Sequence, residues 1–236
     1  MVYAAQLSDM GQPDAGLQQV KALLKGTAED REVYIALSQM YSRLKRWPEA
    51  EQALDKAEQL STKDEDKEYV YFLRGSTYER QKKYEPAEEM FRKVVAGDPQ
   101  NATALNYLGY MLADRGVKLE EALGFIKKAV DLDPANGAYL DSLGWAYFRL
   151  GKYESAEDTL IKASQRIGTD PTVQDHLGDL YQKTGRLRLA AAHWERALSE
   201  WNKTVAAEVD QNDVTRVQKK LESAKMKLAK EDSENK

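Results

Sequence analysis

The sequence predicts an all-α protein assembled from antiparallel helix pairs, and three observations carry that expectation. One stretch is written twice: LGWAYFRLGKYESAEDTLIKA, Leu143 to Ala163, returns 34 residues later as LGDLYQKTGRLRLAAAHWERA, Leu177 to Ala197. Small residues recur at a matching period, with Gly75, Gly109, Gly144 and Gly178 separated by 34, 35 and 34 residues, and Ser38 in the equivalent place 37 residues before Gly75. None of the six prolines falls where a helix middle is expected.

Within each unit, a first helix is marked by the small residue and, three places later, by Tyr41, Tyr78, Leu112, Tyr147 or Tyr181. A second helix follows with Ala50, Ala87, Ala122, Ala156 and Ala190. Four beyond each comes a large residue, Leu54, Phe91, Ile126, Leu160 or Trp194, and three beyond that Ala57, Val94, Ala129, Ala163 or Ala197. Steps of three and four place these residues on one helix face, and a short polar turn divides the two stretches, so each unit reads as a helical hairpin. Pro13, Pro48 and Pro86 stand at expected second-helix starts, and Pro99, Pro134 and Pro171 between units. The small residues are expected to let paired backbones approach, Gly144 meeting Ala156, with the large residues beside them.

In order, residues 1–30 read as a partial N-terminal repeat. DMGQPDAGLQQVKALL is its second helix, with Gly16, Val20 and Leu23 at the patterned places, and Met1 to Met10 is all that remains for its first. The chain is therefore expected to be a fragment of a longer array, with an open edge around Tyr3, Leu7, Val20 and Leu23. Five full repeats follow at 31–67, 68–101, 102–136, 137–170 and 171–204, with STKDEDK lengthening the first inter-unit loop. Over 205–230, the stripe Val214, Val217, Leu221, Ala224 and Leu228 predicts a capping helix, and 231–236 a disordered tail.

Charged residues at 31% and hydrophobic ones at 42% describe a folded chain with a well solvated surface. A net charge of -4 supplies no basic field for nucleic acid or anionic lipid. The absence of cysteine removes disulfides, thiolate metal sites and cysteine nucleophiles, and leaves cytoplasm or periplasm equally open. No apolar run is long enough to span a bilayer. The opening MVYAAQLSDMGQPDAG lacks the basic-then-apolar order of a signal peptide, although a longer parent could carry a leader. No catalytic, metal or cofactor residue is expected. His176 and His193 lack the spacing of a metal pair and are assigned structural or surface roles. No phosphate loop or nucleophile elbow is present, and the scattered carboxylates are those of any charged helical surface.

The order Leu-Gly, Tyr, Ala, a Phe-like residue and Ala, often with Pro, over Arg31 to about Lys203, resembles the tetratricopeptide repeat. Ser38 for Gly and Arg74 for the usual Leu are departures. The resemblance implies a right-handed superhelical solenoid with a C-terminal capping helix, and a non-enzymatic scaffold that binds a partner's peptide or helix in a concave groove. LNYLGYMLADRGVKLEEALGFIKKAVDLDPANGAYLDSLGWAYFRLGKYESAE is also similar in style to the C-terminal part of large bacterial proteins of this family.

By the same resemblance, groove residues stand at the fifth, ninth and twelfth places of each unit. Those places hold Ile35, Gln39 and Ser42, then Phe72, Ser76 and Glu79, then Asn106, Tyr110 and Ala113, then Asp141, Trp145 and Phe148, and last Asp175, Asp179 and Gln182. Candidate partner-binding residues are Phe72, Asn106, Tyr110, Asp141, Trp145, Phe148, Asp175 and Asp179. An aromatic and acidic groove prefers a ligand with apolar anchors and basic flanks, and disfavours RNA. The fifth and ninth places never hold Lys, which argues against the clamp that some family members close on a C-terminal carboxylate. Two alternatives stay open: Trp145 and Phe148 either anchor a partner or pad the contact between neighbouring first helices, and the open edge permits a homodimer.

Overall fold

Five helical hairpins closed by one kind of turn dominate the computed structural model, which describes residues 13–204 and 209–234. Among those residues there are twelve α-helices and no strand. The chain forms two compact units, Met1–Ala104 and Leu105–Lys236. The first holds α1 (Pro13–Lys21), α2 (Asp30–Arg43), α3 (Trp47–Gln59), α4 (Asp64–Arg80) and α5 (Tyr84–Gly97). The second takes α6 (Ala102–Arg115) from Leu105 on, then α7 (Leu119–Leu132), α8 (Gly137–Arg149), α9 (Tyr153–Arg166), α10 (Pro171–Lys183), α11 (Leu187–Trp201) and α12 (Gln211–Glu234).

Each first helix ends two or three residues after the signature position. The backbone N–H groups of Arg46, Lys83, Val117, Lys152 and Arg186 donate to the carbonyls of Tyr41, Tyr78, Leu112, Tyr147 and Tyr181 at 2.8 to 3.1 Å. The residue before each donor is left-handed, with φ between 57° and 79° at Lys45, Lys82, Gly116, Gly151 and Gly185. This six-to-one bond across a left-handed residue satisfies an orphan carbonyl and turns the chain back on itself. Glycine takes that conformation without the strain that Lys45 and Lys82 accept. Starts are fixed separately: the Asn136 side chain accepts from Ala138 and Tyr139, and that of Asp170 from Thr172, where Pro171 is the first residue of α10.

Inside the hairpins, the close approach differs from expectation. A Cβ on Gly144 would lie 2.6 Å from Leu160 Cγ, so the glycine receives the large residue of the second helix rather than Ala156. Gly178 receives Trp194 in the same register. Ala156, Leu160, Ala163, Ala190, Trp194 and Ala197 are all buried there, and α12 closes the cluster with Val217, Leu221 and Ala224. In the first unit, Leu17 and Val20 of α1 pack with Leu37, Tyr41, Ala50 and Ala53, while Ile35, Leu54, Ala57 and Val70 form a second cluster. Arg74, where the repeat usually has Leu, is held by Asp55 and Glu58 of α3, each at 2.9 Å.

Two sequence expectations change. Asp64 to Lys67, read as loop, are the first turn of α4, where Asp64, Glu65 and Asp66 complement the helix N-terminus. Residues 231–234, read as disordered tail, continue α12, and Asp232 pairs with Arg188 at 2.5 Å. Tyr3, Leu7 and the expected helix over Met1 to Met10 lie outside the described residues.

Candidate functional site

In the second unit the first helices α8 and α10 meet along a polar and aromatic seam. Gly144 faces α9, so Trp145, rotated by about 100°, turns toward α10. Its indole stacks on His176 with ring centres 4.1 Å apart and an interplanar angle of 12°, and on Phe148 at 4.9 Å. Its Nε1–H donates to Asp114 at 3.2 Å, and the residue is only 7% exposed. One turn earlier on α8, Asp141 presents its two carboxylate oxygens to His176 Nδ1 at 2.9 and 3.1 Å. Burial alone pushes the imidazole pKa down. The charge and hydrogen bond of Asp141, with Asp175 and Asp179 behind it, outweigh that and hold it above the ordinary value, favouring the imidazolium. Tyr110 tilts on the same ring at 6.1 Å. Asn106 is 8% exposed, and its Oδ1 accepts no hydrogen bond among the described residues.

The acidic end of the seam is already occupied by the chain itself. Lys220 Nζ of α12 lies 3.0 Å from Asp175 and 2.5 Å from Asp179, and Arg216 adds a second contact to Asp175 at 3.0 Å. Trp194 Nε1 also donates to Asp179, at 3.3 Å. Burial and the neighbouring Asp175 charge raise the Asp179 pKa against the pull of Lys220.

The first unit presents the opposite situation. A hollow of about 330 Å³ opens between α4 and the segment that follows α5, lined by Glu65, Glu68, Tyr69, Phe72, Asp98, Asn101 and Thr103. Phe72 is half-buried and tilts on Phe91 at 5.8 Å, whereas Tyr69 is 44% exposed. Gly97 allows the Glu68 carboxylate to lie against the end of α5, since a Cβ there would overlap Glu68 Oε1. The extra turn of α4 adds Glu65 to the rim, next to Glu68 and Tyr69 of the following turn.

Descriptions of the tetratricopeptide repeat match residues 29–100, 72–137 and 138–167, which together span more than half of the chain. The chain belongs to the tetratricopeptide repeat family. A TPR repeat-containing protein of Pseudomonas aeruginosa is 36% identical over 110 residues, which are 47% of this chain and 18% of that protein. The shared stretch is thus a small part of that relative. Among solved structures, a thermophilic TPR protein of Thermus thermophilus is 23% identical, with 81% of this chain and 98% of that one covered and a TM-score of 0.65. The type IV pilus biogenesis factor PilW is 18% identical over 84% of this chain and 91% of its own, also at 0.65. Yeast Tom70 reaches 0.65 as well, at 18% identity over 91% of this chain and 44% of its own. These likenesses are of fold.

At the groove places of this tetratricopeptide repeat chain, side chains divide sharply by exposure. Asp141, Trp145 and Asp175 are buried, Phe148 and Asp179 are partly covered, and Ile35, Ser42 and Ala113 belong to the interior. Trp145 is therefore no exposed platform; it fills the gap between neighbouring first helices. The structure brings Tyr110, Asp141 and Trp145 together around His176, a residue that spacing alone did not single out, with Phe148 stacked on Trp145. One signal was available: Asp141 and Asp175 are one 34-residue period apart, which puts His176 a single place beyond the equivalent of Asp141. Phe72 stands apart in the first-unit hollow, with Glu65, Glu68, Tyr69 and Asp98, which the family places do not include.

Proposed function

We propose that this chain is a non-enzymatic protein-interaction module that takes a segment of a partner protein on the first-helix face of its first unit. Membership of the tetratricopeptide repeat family, and the fold shared with PilW and Tom70, support the general reading. The observation that carries the placement is the open hollow beside Phe72 and Tyr69, while the corresponding acidic and aromatic places of the second unit are taken up by contacts within the chain. Self-association through the N-terminal edge draws less support: of its described residues, Val20 is 1% exposed and packed against α2, and Leu23 is 47% exposed. The carboxylates on the hollow also disfavour an RNA phosphate backbone.

A photo-crosslinking amino acid placed at Tyr69 or at Met226 tests this in extract of the source cell. Met226 is 70% exposed on the outer side of α12 and serves as the control. A discrete protein adduct at Tyr69 and none at Met226 is expected. Adducts at Met226 alone would move the binding surface away from the first unit.

A further inference from the structure

We infer that the first-unit hollow is a subsite for one Lys or Arg side chain of an extended partner segment, an inference that rests on the interaction reading above. Three carboxylates, those of Glu65, Glu68 and Asp98, border the hollow, and no ion pair among the described residues reaches any of them. The Asp98 carboxylate accepts the backbone N–H of Gln100. Elsewhere on the first helices, carboxylates in comparable positions are neutralised from within the chain. Arg31 reaches Asp66, His176 meets Asp141, and Lys220 with Arg216 meets Asp175. At the hollow, among the described residues, that complement is missing.

Backbone polarity reinforces the charge. The hollow lies at the C-terminal end of α5, whose last turn carries no basic residue, so the negative end of that helix adds to Glu68 and Asp98. Glu65 sits in the first turn of α4 and is partly answered by that helix's own N-terminus, which makes Glu68 and Asp98 the stronger pair. Two aromatic side chains, Tyr69 and Phe72, complete the wall, and a cation over a ring face is attracted by its quadrupole. About 330 Å³ admits a guanidinium or ammonium head with part of its stem. The carboxylates do not converge as a metal would need: among the described residues, no group of three His, Cys, Asp or Glu side chains could hold an ion. A large organic cation with an apolar stem satisfies both the acidic rim and the aromatic wall, which is the chemistry of a basic side chain in a peptide.

The test selects a phage-displayed library of random dodecapeptides on the full chain. Selected peptides are then measured against Glu65→Gln/Glu68→Gln/Asp98→Asn, a near-isosteric variant that breaks no ion pair, and against Tyr69→Ala. Expected are peptides enriched in Lys or Arg whose affinity falls on the order of tenfold in the triple variant and in Tyr69→Ala, and falls again as salt is raised. Selected peptides without a basic residue, or binding either variant at wild-type strength, would overturn the subsite while leaving the interaction module standing. Failure to enrich any peptide would overturn both.

Discussion

The glycine at the start of each signature can be tested through its partner on the second helix. Gly144 lies inside α8, where alanine is intrinsically better than glycine by roughly 1 kcal/mol. An added Cβ would lie 2.6 Å from Leu160 Cγ, 2.8 Å from its Cδ2 and 3.2 Å from its backbone nitrogen. The branch carbon must therefore retreat by about 1 Å to ordinary contact, and because the backbone nitrogen is also close, rotation of Leu160 alone cannot supply it. Overpacking of this kind costs about 1 to 3 kcal/mol. Gly144→Ala should then be destabilising or at best neutral in the wild-type chain. In a Leu160→Ala background both side-chain clashes disappear and only the 3.2 Å contact with the backbone nitrogen opposes the propensity gain of roughly 1 kcal/mol, so the same substitution should turn neutral to stabilising. Leu160→Ala itself, at a fully buried site, should cost about 2 to 5 kcal/mol. Urea unfolding of the four proteins closes the cycle, with an expected coupling of about 1 to 3 kcal/mol. If Gly144→Ala stabilised both backgrounds equally, Leu160 would not be what the glycine accommodates, and the register of every hairpin would need revision.

Trp145→Ala should destabilise the chain by about 3 to 5 kcal/mol, since it removes a buried ring from between α8 and α10; urea unfolding at the wild-type midpoint would return the ring to a surface role. The pKa of His176 is raised in the folded chain, so its contribution to stability is fully present below the ordinary imidazole value of 6.5 and is lost as pH rises through the folded value. With two histidines in the chain, an imidazole NMR titration should show one ring titrating above that value and one below it. The second is His193, whose pKa burial and then Arg196 lower, and Asp141→Asn should bring the upper titration down. Lys220→Met should cost about 2 kcal/mol at neutral pH, discounted from a fully buried pair because the ammonium is 21% exposed. That loss should shrink in acid as Asp179, whose pKa is raised, takes up its proton; thermal melts at two pH values read it.

The repeat itself was legible in the chain because hairpin geometry is local. A small residue, an aromatic or Leu three places on, and a small, a large and a small residue on the second helix determine which faces pair, and the pattern occurs five times at spacings of 34 to 37 residues. The capping stripe on α12 was legible for the same reason, since Val217, Leu221 and Ala224 share one helix face. What spacing leaves undecided is the fate of the next face round. Trp145 lies about 100° from the inward glycine, and that direction leads either to solvent or to the neighbouring first helix. Only the tertiary structure puts the His176 ring 4.1 Å away and buries the tryptophan. Likewise Asp175 and Asp179 read as a free acidic patch until the fold delivers Lys220 from 45 and 41 residues away. The reverse happened at STKDEDK, where polar residues suited to a loop also suit a helix N-terminus, and the extra turn they form raises the rim of the open hollow. Periodicity thus determined the pairing of each first helix with its second. The charges and rings that remain exposed were decided by contacts between helices 31 to 45 residues apart in the chain, because burial belongs to the packed pair and not to either helix alone.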